Sequence, residues 1–315
     1  MTAPLTTVAR PEAGSSPRLR GLRRRLWPRK VCAEAGGRTL LQEKLRRLFR
    51  DRYGMAMIAL GGGIVILSIL APTLAPYDPL DIDPAKRLLA PSRAHWFGTD
   101  DLGRDVFSRI LYGGRISIRI AVIVVAISVS IGVTAGALAG YVGGQWDQLT
   151  MRVTDIFLAF PPLILAMALS ASLGPSVENA AIALGLVWWP SYARLMRGQV
   201  LAVKNEPFIE ACQAAGSSHL RVLWRHIAPN SVDPVLVRIT LTGGNAILMS
   251  AALGFIGLGA QPPSPEWGLM VSTARRFLTE AWWYPAISGS VIFATVLVFT
   301  VAGDAIQDAI YPEGE

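Results

Sequence analysis

Six mostly apolar runs, each long enough to cross a lipid bilayer, dominate this chain and leave few folds open to it. A helix needs roughly 20 apolar residues to cross about 30 Å of hydrocarbon. The runs lie at about residues 55–76, 118–141, 156–173, 180–196, 234–258 and 285–302. Inside a bilayer the backbone must satisfy its own hydrogen bonds, so each run predicts a transmembrane helix. We therefore expect an all-α polytopic membrane protein with six transmembrane helices.

The composition agrees with lipid as part of the solvent. Only 17% of the 315 residues are charged and 52% are hydrophobic, whereas a soluble domain carries about 25% charged residues. The two cysteines, Cys32 and Cys212, lie far apart in the sequence, and there are three histidines. This set predicts neither a disulfide framework nor a His/Cys metal site. We therefore expect no metal in this chain.

Basic residues gather at the N-terminus and set the expected orientation. The net charge is +8, and about half of the 30 Lys and Arg residues precede Tyr53. Such a tail could bind nucleic acid or hold its side of a span in the cytoplasm, and the apolar run that follows favours the second role. Because Arg, Pro, Gly and Ser dominate residues 1–40, we expect a disordered basic cytoplasmic tail there. Six crossings then place residues 205–230 and the C-terminus in the cytoplasm.

Residues 41–53 have the pattern of a basic amphipathic helix at the inner membrane surface. Its apolar face is formed by Leu41, Leu45, Leu48 and Phe49. The alternative is that this stretch is only the solvated end of the first span. Residues 54–315 are expected to form the transmembrane domain. Its fourth span is the weakest prediction, because Pro190 and Arg194 shorten the apolar run.

The outer segment, residues 77–116, leads from the first span into the second. Thr99 is a candidate N-cap for a helix there, and Asp105 and Arg109 have the spacing of an ion pair on that helix. The acidic residues could suggest a metal site or a hydrolase, but Arg104 and Arg109 can neutralise them. The segment therefore predicts a capped helix that steers the chain into the second span. A contact surface for an external partner is the sharper alternative.

A polar, basic segment at residues 205–230 interrupts the apolar runs. Pro207 suits the first turn of a helix, where its missing N–H has no partner to lose. Asn205 or Glu206 can cap that turn. Gly216 suits the left-handed position that ends a helix. These signals predict the first of two short helices.

The second helix of this segment begins after Ser217 or Ser218, either of which can cap it. An apolar stripe at helical spacing is formed by Leu220, Leu223, Trp224 and Ile227. Arg221 and Arg225 lie on another face, and Pro229 is expected to stop the helix. A DNA-binding helix-turn-helix is disfavoured by the flanking spans, and a lid packed on its own bundle is the simpler alternative. A stripe beside exposed arginines favours a docking surface.

These motifs resemble a known family. Glu210-Ala211, Gly216 and Pro229 resemble the EAA motif of permease subunits in binding-protein-dependent ABC importers. The outer segment resembles the C-type permease of the peptide/nickel branch through Gly98, Thr99, Asp100, Gly103, Arg104, Asp105, Ser108 and Arg109. Cys212 and Ala228 depart from the pattern, standing where Ala and Leu are usual.

The resemblance implies a type I ABC importer permease fold in the cytoplasmic membrane of a prokaryote. It implies two ATPase subunits, a sister permease that completes a heterodimer, and an extracytoplasmic solute-binding protein, with no nucleic acid as partner. The implied ATPase-coupling residues are Glu210, Ala211, Gly216, Leu220, Arg221, Leu223, Trp224, Arg225, Ile227 and Pro229. ATP and Mg would bind the ATPase subunits, since this chain has no Gly-x4-Gly-Lys-Ser/Thr phosphate loop and implies no cofactor. Peptides or similar small solutes would be the cargo.

Two rival functions remain open to a multi-span chain. A secondary transporter or channel-like protein that is not driven by ATP would place ionisable residues at mid-span. Here the charged residues lie near the predicted span ends, where they suit snorkelling, capping or pairing; they are Arg119, Asp155, Arg238 and Asp304. A membrane-embedded enzyme would need a nucleophile or metal constellation within the spans. We predict no catalytic residues.

Overall fold

The computed structural model describes Arg46 and residues 48–311. The expected tail at 1–40 lies outside the described residues, as do Leu41 and Leu45 of the expected amphipathic helix. The main helices are α1 (Arg52–Ile69), α2 (Val106–Val142), α3 (Gly144–Leu158), α4 (Pro162–Leu173), α5 (Val177–Lys204), α6 (Pro207–Ala214), α7 (His219–Val222), α8 (Asp233–Ile256), α9 (Trp267–Ala274) and α10 (Trp283–Ile310). A short turn of helix, Ala71–Leu74, follows α1.

Asp51 separates the end of the amphipathic pattern from the first span. Its carboxylate accepts hydrogen bonds from the backbone N–H of Tyr53 at 3.1 Å and of Gly54 at 3.0 Å. Aspartate is a favoured N-cap because it satisfies these otherwise unpaired donors. A new helix therefore starts at Arg52, so the expected helix over 41–53 does not run unbroken to its end.

Length and hydropathy identify fewer spans than the six expected. In the described part of the chain, α1, α2, α8 and α10 are long and apolar enough to cross a membrane, and the bent pair α3 and α4 would make a fifth. The fourth run became α5, a helix of 28 residues that continues through Pro190. It does not belong to the helices that meet the hydropathy test.

The third run, 156–173, is not the single helix that was expected. The chain breaks between α3 and α4, whose axes differ by 91°. Pro161 lacks the N–H that a continuing helix needs and disfavours helical backbone at Phe160 before it. Pro162 then occupies the first turn of α4, where proline is tolerated. The 12 residues of α4 extend only about 18 Å, too short to cross a bilayer alone.

A row of glycines on α2 brings it against α5. A Cβ atom at Gly136 would lie 2.2 Å from the carbonyl oxygen of Ala193, and one at Gly132 would lie 2.5 Å from that of Trp189. Small residues spaced by four let two membrane helices approach closely. One turn earlier on α2, Ser128 donates to the Gly185 carbonyl at 3.0 Å. The facing residues therefore rise in number together along both helices. Thus α2 and α5 run parallel.

We predict that Gly136→Val will destabilise the folded chain. A valine side chain has no space against the Ala193 backbone, and overpacking of this kind costs about 1–3 kcal/mol or more. The measurement is the thermal midpoint and the monodisperse fraction of the detergent-purified protein. Gly62→Val on α1 is the control, because a Cβ there has no neighbour within 4 Å. Equal behaviour of the two variants would contradict the prediction.

The remaining long helices alternate in direction. Gly54 and Gly61 of α1 face Ala305 and Val298 of α10, so these two helices are antiparallel. The helix α8 is also antiparallel to α10, as the facing pairs Gly244 with Phe299 and Gly303 with Thr240 indicate.

Candidate functional site

The two helices expected within residues 205–230 are present as α6 and α7, at the end of the bundle where α2 and α5 terminate. Pro207 lies in the first turn of α6, as predicted. Gly216 has φ +82°, the left-handed backbone expected after a helix end. Glu206 and Ser218 occupy the N-cap positions, but neither side chain makes a capping hydrogen bond.

Pro229 does not stop the second helix, contrary to the prediction. After α7 the chain continues as a π-helical turn, Leu223–Ile227, and then as Ala228–Asn230. A proline ring clashes with the carbonyl four residues earlier in a regular α-helix, and it has no N–H to donate. The wider π turn just before it accommodates the ring, so the helical path extends to Asn230.

The apolar stripe of this segment divides between two environments. Leu223 and Ile227 are buried in a cluster with Ile209 and Val222, which also includes Tyr192, Met196 and Val200 of α5. By contrast, Leu220 is 68% exposed and Trp224 is 44% exposed. The buried face therefore contains Val222, Leu223 and Ile227. Leu220 and Trp224 lie on the exposed side of the segment.

The remaining predicted coupling residues are all exposed, and together with Phe208 we term them the docking surface. Phe208, 43% exposed, adds a third apolar side chain that the sequence analysis missed. Arg221 and Arg225 are both exposed, one helical turn apart, and no carboxylate of the described chain pairs with either. The other exposed members are Glu210, Ala211, Gly216, Leu220, Trp224 and Pro229. Apolar side chains beside cations that the described chain leaves unpaired suit a partner with an apolar groove and acidic groups.

A polar contact joins the start of α7, next to the docking surface, to the end of α2. The Tyr141 hydroxyl lies 2.9 Å from Nδ1 of His219. The Lys204 ammonium donates to the Tyr141 carbonyl at 2.6 Å and lies 5.3 Å from the centre of its ring. Sequence reasoning missed all three residues, because no local spacing relates them. They link α2, α5 and α7 at one point.

Two of the four charged residues noted near the predicted span ends, Arg119 and Asp155, form ion pairs, one of the structural roles expected for them. Arg119 lies 3.1 Å from Glu178, and Asp155 lies 2.5 Å from Arg194. Arg197 similarly binds Asp147 through both of its carboxylate oxygens. Two of these pairs fasten α3 to α5.

The outer segment uses a different cap from the one expected. Asp105, not Thr99, caps α2, accepting from the backbone N–H and the hydroxyl of Ser108 at 2.8 Å each. Asp105 also pairs with His95 Nδ1 at 2.9 Å, so its predicted pairing with Arg109 is wrong. Thr99 instead accepts from the Leu89 N–H at 2.8 Å.

Asp100 is the centre of a buried ionic network in this segment. It is fully buried and contacts Arg104 Nε at 2.7 Å, with Arg109 Nε at 3.4 Å, an ion-pair distance without hydrogen-bond geometry. Arg109 also donates to the Pro79 carbonyl at 2.9 Å and to that of Ser264 at 3.3 Å. The two arginines therefore neutralise the acid, as predicted.

Every outer-motif residue is buried; they are Gly98, Thr99, Asp100, Gly103, Arg104, Asp105, Ser108 and Arg109. The motif thus holds the outer segment onto the bundle and offers no surface to a partner. Nearby, Glu266 caps α9 by accepting from the Leu269 N–H at 2.8 Å, and burial raises the pKa of its carboxyl. In the described residues, no group of three or more His, Cys, Asp or Glu could hold a metal ion.

The sequence of the bundle matches a known family. Residues 132–313 match the binding-protein-dependent transport system inner membrane component. The chain belongs to this family. Residues 39–91 also match the N-terminal transmembrane domain of oligopeptide transport permease C. The resemblance drawn from the EAA-like and outer motifs is thereby confirmed.

Named relatives cover most of the permease. The dipeptide transport system permease protein DppC of Alkalihalophilus pseudofirmus is 42% identical over 86% of this chain and 90% of its own length. The probable D,D-dipeptide transport system permease protein DdpC of Escherichia coli is 47% identical over 79% and 84%. The glutathione transport system permease protein GsiD of Escherichia coli is 41% identical over 88% and 91%.

A solved structure supports the same fold. The permease resembles a chain of the inward-facing MetNI methionine ABC transporter with a TM-score of 0.53 at 18% identity, over 64% of this chain and 96% of that one. The protein is therefore an all-helical, multi-pass inner-membrane subunit of an ATP-driven importer. This function disfavours the secondary transporter, the channel-like protein and the membrane-embedded enzyme considered above.

Proposed function

We propose that this permease forms one half of the membrane pathway for peptides or peptide-like solutes. The relatives named for dipeptides, D,D-dipeptides and glutathione support this class of cargo. A different sister permease completes the heterodimer, and an extracytoplasmic binding protein delivers the solute. Two ATPase subunits bind ATP and Mg and hydrolyse the nucleotide, so this chain needs no cofactor of its own.

Six crossings are the proposed topology, with both termini in the cytoplasm. Two neighbouring parallel helices, α2 and α5, require the chain to return across the membrane between them, and the bent pair α3 and α4 supplies that crossing. Helix α5 is about 42 Å long at 28 residues, enough to span a bilayer. The antiparallel contacts of α10 with α1 and α8 complete the alternation. The basic N-terminus supports a cytoplasmic start.

The proposed contact with the ATPase is the docking surface, and its exposed apolar residues are the observation that carries it. Leu220 and Trp224 are exposed on a segment between spans, beside two arginines that pair with no carboxylate in the described part of the chain. An interface that binds tightly uses a few aromatic and Arg anchors of this type. The ATPase subunit should present an apolar groove with acidic groups at its rim.

The buried half of the stripe provides the mechanical link to the spans. Leu223 and Ile227, with Ile209 and Val222, pack on α5 and the end of α2. A packed cluster moves as a body, since interiors resist local deformation. Closure of the ATPase pair would therefore displace α6 and α7 together with the inner ends of α2 and α5, which is the rigid-body logic of alternating access.

We predict that Trp224→Ala will weaken ATPase binding while leaving the permease folded. Losing a central aromatic anchor typically costs about 2 kcal/mol or more, so the dissociation constant should rise more than tenfold. The measurement is the amount of ATPase subunit that co-purifies with tagged permease at graded ATPase concentrations. Trp96→Ala is the control, since Trp96 is 63% exposed on the outer segment.

The same proteins test the transport function as a whole. In proteoliposomes with all subunits and the binding protein, uptake should require ATP and should fall with Trp224→Ala in parallel with ATPase binding. Uptake that an ion gradient alone can drive would contradict the proposed function. Unchanged ATPase binding in Trp224→Ala would contradict the docking surface only.

A further inference from the structure

A cleft with both polar and apolar walls opens between α5, α8 and α10, and Leu158 of α3 and Pro162 of α4 also line it. It consists of two adjoining cavities of about 340 Å³ and 680 Å³ that share Ser191, Arg238 and Leu241 as lining residues. Small-ligand sites commonly enclose 300–1,000 Å³ with a few convergent polar groups among apolar walls. Either cavity is therefore large enough for part of a small solute.

Polar side chains from all three helices converge on this cleft. Asn245 lies two helical turns beyond Arg238 on α8, and both are exposed. Ser191 of α5 and Thr300 of α10 line the smaller cavity, and Gln307 of α10 lines the larger one. A helix surface that faces only lipid is apolar, because polar groups are costly to expose to hydrocarbon. This wall suits water or a solute instead.

Arg238 differs from Arg194 and Arg197 of α5 in having no acidic partner among the described residues. On α5, Arg194 binds Asp155 and Arg197 binds Asp147. No described carboxylate lies within ion-pairing distance of the Arg238 guanidinium, although this residue belongs to an apolar spanning helix. Arg238 lies near the start of α8, where a long side chain can reach the polar boundary of the membrane. Because it lines the cleft and pairs with no described carboxylate, its guanidinium is available to an anionic group that enters there.

We propose that the Arg238 guanidinium binds a free carboxylate of the solute as it crosses the membrane. The planar guanidinium matches a carboxylate with two parallel hydrogen bonds, and Asn245 on the same face adds an amide donor and acceptor. This inference rests on the proposed function, because it assumes a peptide-like cargo with a free terminal carboxylate. It deepens that function by assigning a subsite within the permease itself.

The test measures binding to the assembled transporter without the binding protein, so that only the membrane subunits select the probe. Alanyl-alanine and alanyl-alanine amide, which lacks the carboxylate, are titrated against the detergent-purified complex while the thermal midpoint is followed. Alanyl-alanine should stabilise the wild type at concentrations about tenfold lower than the amide. Arg238→Gln should raise the alanyl-alanine requirement about tenfold and abolish the preference for the acid.

Arg119→Gln is the matched control, because Arg119 is also exposed on a spanning helix but is paired with Glu178. It should keep the wild-type preference. An unchanged titration in Arg238→Gln, equal stabilisation by acid and amide, or no stabilisation of the wild type would each overturn the subsite. ATP-dependent uptake by the wild-type complex in proteoliposomes is a separate readout. If the wild type shows no such uptake, the proposed function fails, whatever the titrations show.

Discussion

Replacing Asp100 with alanine is expected to release the outer segment from the helical bundle, at a cost of about 3–5 kcal/mol. The carboxylate accepts from the backbone N–H of Leu102 and of Arg104, each at 2.9 Å, and from the Arg104 side chain at 2.7 Å. Without it, Arg104 and Arg109 would remain buried with no well-placed counter-charge. Removing one partner of a buried pair is costly because the other charge stays desolvated.

Hydrogen exchange measured by mass spectrometry on residues 98–109 would detect this change. Exchange reports the free energy of local opening, so a loss of about 3 kcal/mol should speed it roughly a hundredfold. Exchange in the docking surface, at the opposite end of the bundle, should not change. Comparable acceleration there would mean that the variant unfolds globally instead.

Asp101→Ala is the matched control for this prediction. Asp101 is only partly buried, lies 3.9 Å from Arg104 and leaves the Asp100 contacts intact when removed. Burial raises the pKa of Asp101, so its ionised form is disfavoured in the folded chain. We therefore expect little change in exchange. Equal acceleration in both variants would show that negative charge, and not the Asp100 network, holds the segment.

The helical bundle was predictable because lipid imposes a simple rule on sequence. An apolar run must become a helix, and the runs at 234–258 and 285–302 lie almost wholly within α8 and α10, although α10 continues to Ile310. Helix ends were less predictable, since hydropathy marks the apolar portion only. Thus α2 begins at Val106, well before its apolar run, because the Asp105 cap extends the helix into the outer segment.

Prolines within the apolar runs broke one helix and were tolerated in another, and local sequence rules do not predict which outcome occurs. The Pro161-Pro162 pair broke the third run, whereas Pro190 was absorbed within α5. In α5 the neighbouring backbone is buried against other helices, and Pro190 itself is buried. Packing of this kind can hold a helix together across a proline. A single sequence does not reveal which proline has that support.

Local spacing also failed where tertiary contacts were stronger. Asp105 and Arg109 have helical ion-pair spacing, but such a pair contributes only about 0.3–0.5 kcal/mol. Capping α2 and binding buried His95 outweigh that contribution. The apolar stripe Leu220, Leu223, Trp224 and Ile227 was predicted as one face, but the fold buries Leu223 and Ile227 and leaves the other two exposed.

Replacing Gly216 with valine is expected to uncouple ATP hydrolysis from uptake. Gly216 joins α6 to α7 with φ +82°, a conformation that β-branched residues adopt only with strain. Left-handed backbone costs an L-residue roughly 1–2 kcal/mol, enough to shift the connection toward other geometries. Since a Cβ at this position meets nothing within 4 Å, the strain is purely conformational.

The readouts are solute uptake and binding-protein-stimulated ATPase activity in proteoliposomes. Uptake should fall about tenfold or more, because a 1.4 kcal/mol shift in the connection changes its population tenfold. Membrane insertion should be nearly unchanged, since Gly216 is exposed and outside the spans. Normal uptake with normally stimulated ATPase would contradict the role of this connection.

Two variants separate strain from bulk at Gly216. Gly216→Asn adds a side chain of similar size to valine, but asparagine tolerates left-handed backbone and should retain most of the coupling. Gly198→Val places the same valine on α5, where a Cβ also has no neighbour within 4 Å and the backbone is helical. If only Gly216→Val uncouples, the transmitted signal depends on the angle between α6 and α7. Uncoupling by Gly216→Asn as well would assign the effect to a side chain at the ATPase contact.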